Sequence, residues 1–290
     1  LLLLDAGGSP EITKVAIKKA LDWNCDVILS GTSPTGLAIA KEVREQKRSI
    51  IQIGNAANPA FGLPYKYEYR FWPDWNQEVA VISRVCDTTK YKNVLLVYSA
   101  DPYSEALATA FKGNNKGLAI TEFKFDPSAA TDFRPYLIKA KEGGVEAVII
   151  FGLPPGIKSL ISQLTDISWN GDLIGGVNIS LTVKDFNEAK LPGTLWVLKT
   201  EAMDDTLQPG TEAAAFRSAY KNKYNENPPF HSLYLADAIY WIAKCSLKGK
   251  DSLLFETNRV NLFNGPSGTV KINPDATISL NIRAEKLQGK

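Results

Sequence analysis

The feature that most constrains this 290-residue chain is an alternation of two patterns. Short apolar runs of strand length take turns with amphipathic stretches of helix length along almost all of the sequence. Strand-like runs fall at 1–4, 27–29, 50–53, 94–98, 120–125, 147–151, 173–175 and 195–198. Helix-like stretches fall at 11–23, 36–45, 75–86, 104–112, 130–142, 155–165, 211–224 and 232–247. Many of the latter open on Ser, Thr, Asp or Pro, which cap or start helices. Parallel strands need crossover connections, so this order predicts α/β architecture with parallel sheets flanked by helices.

Composition narrows the class mainly by exclusion. The chain is 44% hydrophobic and 22% charged, with a formal net charge of +2, so nothing asks for nucleic acid or an anionic membrane as partner. No apolar run approaches the 18 residues a membrane span needs. The three cysteines, Cys25, Cys86 and Cys245, lie far apart without a CxxC pair and read as thiols. A lone histidine, His231, argues against a histidine-based metal site, and no cofactor motif is present. The opening "LLLLDAGGSPE" lacks the basic start and long apolar core of a signal peptide, and reads as a strand met without lead-in.

Ligands of open parallel sheets sit beyond the carboxyl ends of the strands. The turns there are "SGTSPTG", "GNAANPAFG", "SADPYSE", "FGLPPG" and "GGVNIS", all rich in small, polar, Gly or Pro residues. Helix N-termini behind them are expected to offer N–H groups to an anion. The first turn is not a phosphate loop, because Leu37 stands where the lysine belongs. Nor does it make a nucleophile elbow, since Pro34 and Thr35 follow Ser33. The paired acids Asp204 and Asp205 lie in a polar stretch and read as solvated. The turn is therefore expected to hold a ligand without chemistry. The competing reading is that Ser33 and Thr35 only cap the next helix.

Taken together and in order, these segments resemble the type I periplasmic binding proteins, in the branched-chain amino-acid receptor group of ABC transporters. "DVILSGTSPTGLAIA" resembles that family's Asp-x-Ile-x-Gly-Pro-x-Ser-Ser-Gly turn, and "IQIGNAANPAF" its second ligand turn. "YRFWPDWNQE" resembles the hinge, and "NVLLVYSADPYSEALATAFK", "AVIIFGLPPG" and "LIGGVNIS" the units of a second lobe. The return helices and "FNGPSGTVKINPDATI" resemble its closing segment, with a hairpin turn at 273–275.

The resemblance implies two Rossmann-like lobes joined by three hinge crossovers. Lobe 1 is expected at 1–73 plus 228–263 and lobe 2 at 75–226 plus 264–290, with hinge residues Trp72, Pro73 and Pro228. The family's first strand and helix have no counterpart here. It further implies a small-molecule ligand, an ABC-transporter permease as partner, a monomer peripheral to the membrane, and a periplasmic or extracellular location after loss of a signal peptide. It implies neither enzyme activity nor a metal. The ligand-binding residues carried over are Ser33, Pro34, Thr35, Asn55, Ala56, Ala57, Tyr103, Phe151, Val177 and Asn178.

Two departures bear on ligand class. Ala57 lacks the hydroxyl of the pattern, and Val177 lacks the acid that meets an α-ammonium. A buried ammonium without a carboxylate costs several kcal/mol. The expected ligand is thus a carboxylic acid or amide, with an amino-acid receptor of the same family as the alternative. A receptor or regulator sensor core and an α/β hydrolytic enzyme are the rivals from other classes. Phe61, Phe151, Trp72 and Trp75 read equally as an aromatic ligand wall and as hinge packing.

Overall fold

A computed structural model describes residues 1–6, 10–47, 49–54, 58–62, 65–183, 193–200, 203, 210–247, 253–257 and 259–288. The chain divides into two units, Leu1–Asp74 with Glu201–Asn281 and Trp75–Thr200 with Ile282–Lys290.

In the first unit, α1 (Pro10–Asp22), β1 (Val27–Ser30), α2 (Ser33–Arg44), β2 (Ile51–Gly54) and β3 (Glu68–Pro73) come first in sequence. Strands β1, β2 and β3 pair in parallel, as alternation demands. The chain then passes through the second unit's α3 (Trp75–Thr89), β4 (Asn93–Ser99), α4 (Pro102–Asn114), β5 (Ala119–Phe125), α5 (Arg134–Glu142), β6 (Ala147–Phe151), α6 (Pro154–Asp166), β7 (Asp172–Gly175), α7 (Ile179–Val183) and β8 (Thr194–Thr200). It returns to the first with α8 (Glu212–Tyr224), α9 (Phe230–Ser246), α10 (Leu253–Glu256), β9 (Leu262–Gly265), β10 (Gly268–Ile272) and β11 (Thr277–Ser279), and β12 (Ile282–Gln288) closes the second.

The first sheet has the order β1-β2-β3-β11-β10-β9 and the second β12-β8-β7-β6-β4-β5. Both are mixed rather than wholly parallel. The β9–β10–β11 meander is antiparallel within itself, and β12 runs antiparallel to β8. The hairpin expected at 273–275 is the β10–β11 connection.

Each unit packs its own helices on its sheet. Every residue of β6 is buried, and the second unit's core gathers Leu95, Val97, Leu137, Val148, Ile150 and Leu160 from strands and helices alike. In the first unit Trp241 of α9 is wholly enclosed, with its ring 4.6 Å from Tyr69 and its Nε1–H donating to the Val260 carbonyl at 2.7 Å. Such a ring contributes both area and a satisfied polar handle.

Four sequence expectations are corrected. Residues 1–4 form no strand, and Leu1 and Leu3 are 105% and 92% exposed. Apolar residues become a strand only where a neighbour completes the hydrogen-bond ladder. The second crossing falls at Thr200/Glu201 instead of near 227, because α8 packs on β9 within the first unit. The third falls at Asn281/Ile282 instead of 263/264, because β11 pairs in parallel with β3 and keeps the meander in the first unit. Trp72 and Pro73 end β3 just before the first crossing, whereas buried Pro228 lies inside the first unit ahead of α9 and at no crossing.

Candidate functional site

Both sheets deliver turns at the carboxyl ends of parallel strands. In the first unit, "SGTSPTG" is less of a loop than its composition implies. Helix α2 starts at Ser33, and its N-cap is Thr32, neither Ser33 nor Thr35. Thr32 Oγ1 accepts the Thr35 N–H at 3.4 Å and donates its own proton to Thr35 Oγ1 at 3.1 Å. Pro34 fits the first turn, where its fixed φ matches the helix and no N–H is missed. No acid lies in that turn, so the dipole's positive end is left uncountered by a carboxylate of its own. Ser33 is buried, Pro34 exposed and Thr35 half-buried. Gly36 sits in close approach to the strand end: a Cβ there would lie 3.1 Å from Ser30 Oγ.

Asn55, Ala56 and Ala57 lie outside the described residues. The segment after them is anchored from below. Arg44 grips Glu68 through two hydrogen bonds of 2.7 and 2.8 Å, Glu68 also accepts the Gly62 N–H at 3.0 Å, and Tyr65 stacks under the Arg44 guanidinium. Phe61 and Trp72 are buried within this unit, and Trp72 packs on Phe230 and Tyr234 at 5.7 and 5.5 Å.

In the second unit, Tyr103, Phe151, Val177 and Asn178 all stand at the carboxyl ends of β4, β6 and β7, and all four are buried. A fifth residue joins them that the sequence reading passed over. Glu78, on α3, is 0% exposed. Its Oε2 accepts the Val177 N–H at 3.0 Å and the Tyr103 hydroxyl at 3.1 Å. The turn makes room for it: a Cβ on Gly176 would come within 2.7 Å of Glu78 Oε2 and 3.3 Å of Tyr103 Oη. Val177 has no charge of its own, but a carboxylate from another element sits on its backbone.

The N-termini of α4 and α6 have few N–H groups left for an anion, contrary to the expectation from sequence. Asp101 caps α4, accepting the N–H groups of Tyr103 and Ser104 at 3.0 and 3.1 Å and the hydroxyls of Ser99 and Ser104. Helix α6 opens on Pro154 and Pro155, which have no N–H. Asn178 donates its amide N–H to the Gly152 carbonyl at 3.0 Å.

Phe151 packs edge-on against Phe111 at 6.2 Å. A separate hollow of about 270 Å³, between Phe125, Pro127, Phe133, Gly156 and Ser159, contains none of the candidate residues. Among the described residues, no cluster of His, Cys, Asp and Glu could hold a metal, and no helix is long and apolar enough to cross a membrane. His231 is exposed at the start of α9, and Cys86 and Cys245 are buried thiols. Asp204 and Asp205 lie outside the described residues.

Residues 1–275 match the model of a protein family described as periplasmic binding protein. A Leu/Ile/Val-binding protein of Rhizobium johnstonii is 32% identical over 151 residues, 51% of this chain and 40% of that protein's length. The chain thus spans well under two thirds of that relative. A leucine-binding protein of Thermotoga maritima superposes with a TM-score of 0.84 at 20% identity, covering 100% of this chain and 85% of that one. A solute-binding protein of an ABC transporter from Rhodopseudomonas palustris, solved with 3,4-dihydroxybenzoic acid, gives 0.79 at 21% identity, covering 98% and 81%. At such identities the structural likeness speaks to fold.

Proposed function

Because this chain belongs to the periplasmic binding protein family, we propose that it is an extracytoplasmic solute receptor that hands one small organic molecule to an ABC-transporter permease. The observation that carries the reading is the family match over residues 1–275. The solute carries a carboxylate or amide, taken by the hydroxyl-rich start of α2, where Thr35 stands and no acid lies in the first turn. Tyr103, Phe151, Val177 and Asn178 supply the second unit's contacts. Solute contacts that exist in only one conformation of the receptor shift it to that conformation, which is the signal a permease reads. The relatives' ligands, branched-chain amino acids in one case and a dihydroxybenzoic acid in another, frame the chemical range. The receptor acts as a monomer in the periplasm or outside the cell.

A thermal-shift screen tests this. The panel spans amino acids, aromatic acids, short-chain acids and amides. A true ligand at about 100 times its Kd adds about 2.7 kcal/mol of stability, a plain rise in Tm. A flat response across the whole panel refutes the receptor reading.

A further inference from the structure

In the first unit the β9–β10 turn closes over a buried acid. Asp237, on α9, is 0% exposed, and Ser267, in the turn, is 4% exposed. The Ser267 N–H donates to Asp237 Oδ1 at 3.0 Å. The turn comes this near because Gly265 has no side chain: a Cβ there would collide with Oδ1 and lie 3.3 Å from Cγ. The other carboxyl oxygen, Oδ2, and the Ser267 hydroxyl are both buried without a hydrogen-bond partner. A neutral carboxyl tolerates such a place far better than a carboxylate, whose charge would be met by one N–H and little else. The turn also has the means to lift. Gly265 and Gly268 are the last pair of the hairpin, with only Pro266 and Ser267 between them, and Gly268 has φ +116°. Strand β9 is the sheet edge, so lifting the turn disturbs only the hairpin's own ladder.

We propose that Asp237 is a pH-operated latch on this hairpin: protonated, it holds the 265–268 turn down on α9, and ionised, it lifts the turn so that water reaches Oδ2. The device lies within the first unit and holds whatever the solute is. Burial raises the Asp237 pKa to about 7, against a partial offset from Ser267. The ionisable groups packed around it are Tyr234 and Cys245 on the same buried face of α9, Glu68, Tyr69 and Arg70 on β3, and Glu256 on α10. The rise owes nothing to any of them. The closed turn thus keeps a proton that the open turn releases. Closure is strongest below about pH 4, weakens by up to tenfold per pH unit above that, and levels off past about pH 7.

Hydrogen–deuterium exchange on the intact protein at pH 5, 6, 7 and 8, corrected for the intrinsic pH dependence of exchange, tests this. The Ser267 amide and the hairpin amides between 262 and 271 should lose protection at least tenfold from pH 5 to pH 7, and little more by pH 8. They should also stay at least tenfold less protected than the amides of β2, the mark of a local opening as opposed to unfolding of the unit. Asp237→Asn, neutral at every pH, should leave the hairpin's protection flat across the range. A residue with only a packing role would change the level of protection and leave its slope. If Asp237→Asn fails to fold, Asp237→Ser, equally neutral and small enough to admit water, should give the same flat profile. A flat profile in the unmodified protein, a hairpin as well protected as β2 at every pH, or a slope that survives a neutral variant overturns the inference.

Discussion

The Val177 N–H donates to Glu78 Oε2 at 3.0 Å, across 99 positions of sequence. This bond ties the first turn of α3 to the turn that follows β7. The Tyr103 hydroxyl reaches the same carboxylate oxygen from the start of α4. Three elements therefore share one buried carboxyl group, and substitutions at any of them should register at the other two.

Tyr103 offers the simplest check. Its ring is buried and its hydroxyl bonded, so Tyr103→Ala should weaken solute binding by about 1–3 kcal/mol, through lost ring burial and a lost polar contact. Titration calorimetry against the best ligand from the screen reads it directly. Unchanged affinity in a folded variant would remove Tyr103 from the site.

Gly176 is a steric requirement. An added methyl would press within 2.7 Å of Glu78 Oε2, closer than side-chain carbons come to oxygen. Gly176→Ala should cost about 1–3 kcal/mol, as overpacking does, and displace Glu78 from the Val177 N–H. Urea unfolding supplies the stability value. A parallel fall in solute affinity is expected, and a variant as stable and as active as the parent would contradict the geometry.

Asp237 predicts a pH dependence located in the first unit. It is buried on α9, with Oδ1 accepting the Ser267 N–H at 3.0 Å. Burial pushes its pKa from the usual 3.8 up to about 7, and hydrogen bonding from Ser267 offsets only part of that. The folded state thus holds a proton that the unfolded state releases above pH 4. Stability from this group is fully present below about pH 4. It falls by up to about 1.4 kcal/mol per pH unit and is lost as pH passes about 7. Asp237→Asn should flatten that slope, which denaturation curves between pH 4 and 8 will show.

Thr32 tests whether the first turn is a cap as well as a ligand surface. Thr32→Ala removes the acceptor for the Thr35 N–H and should lower stability by about 1 kcal/mol. Restoration by Thr32→Ser but not by Thr32→Val, read as Tm, separates the capping oxygen from side-chain bulk.

Much of this molecule is legible one segment at a time. The period-2 and period-3.6 patterns are local properties, which is why seven of the eight strand-like runs and the helix-like stretches appear where the sequence puts them. The strand-end rule likewise brings Tyr103, Phe151, Val177 and Asn178 to one end of one sheet without knowledge of any contact. What failed locally did so for want of a partner. Residues 1–4 look like a strand and have no ladder to join, and α8 looks like part of the second lobe until β9 claims it.

Glu78 shows where local reading ends. In sequence it is an acid in the first turn of an amphipathic helix, where a negative charge suits the dipole and reads as surface. Its spacing to Val81, Ile82 and Val85, at i+3, i+4 and i+7, sets it on the helix's buried face, but nothing within the helix names its partners. Only the fold brings it to Val177 and Tyr103, because hydrogen-bond partners are chosen by proximity in space. The sequence by itself determined the α/β layers, the capped helices and the strand ends where a ligand belongs, since each follows from neighbours along the chain. The tertiary structure alone decided which acid stands at that end, because a buried polar side chain takes its partners from wherever packing delivers them.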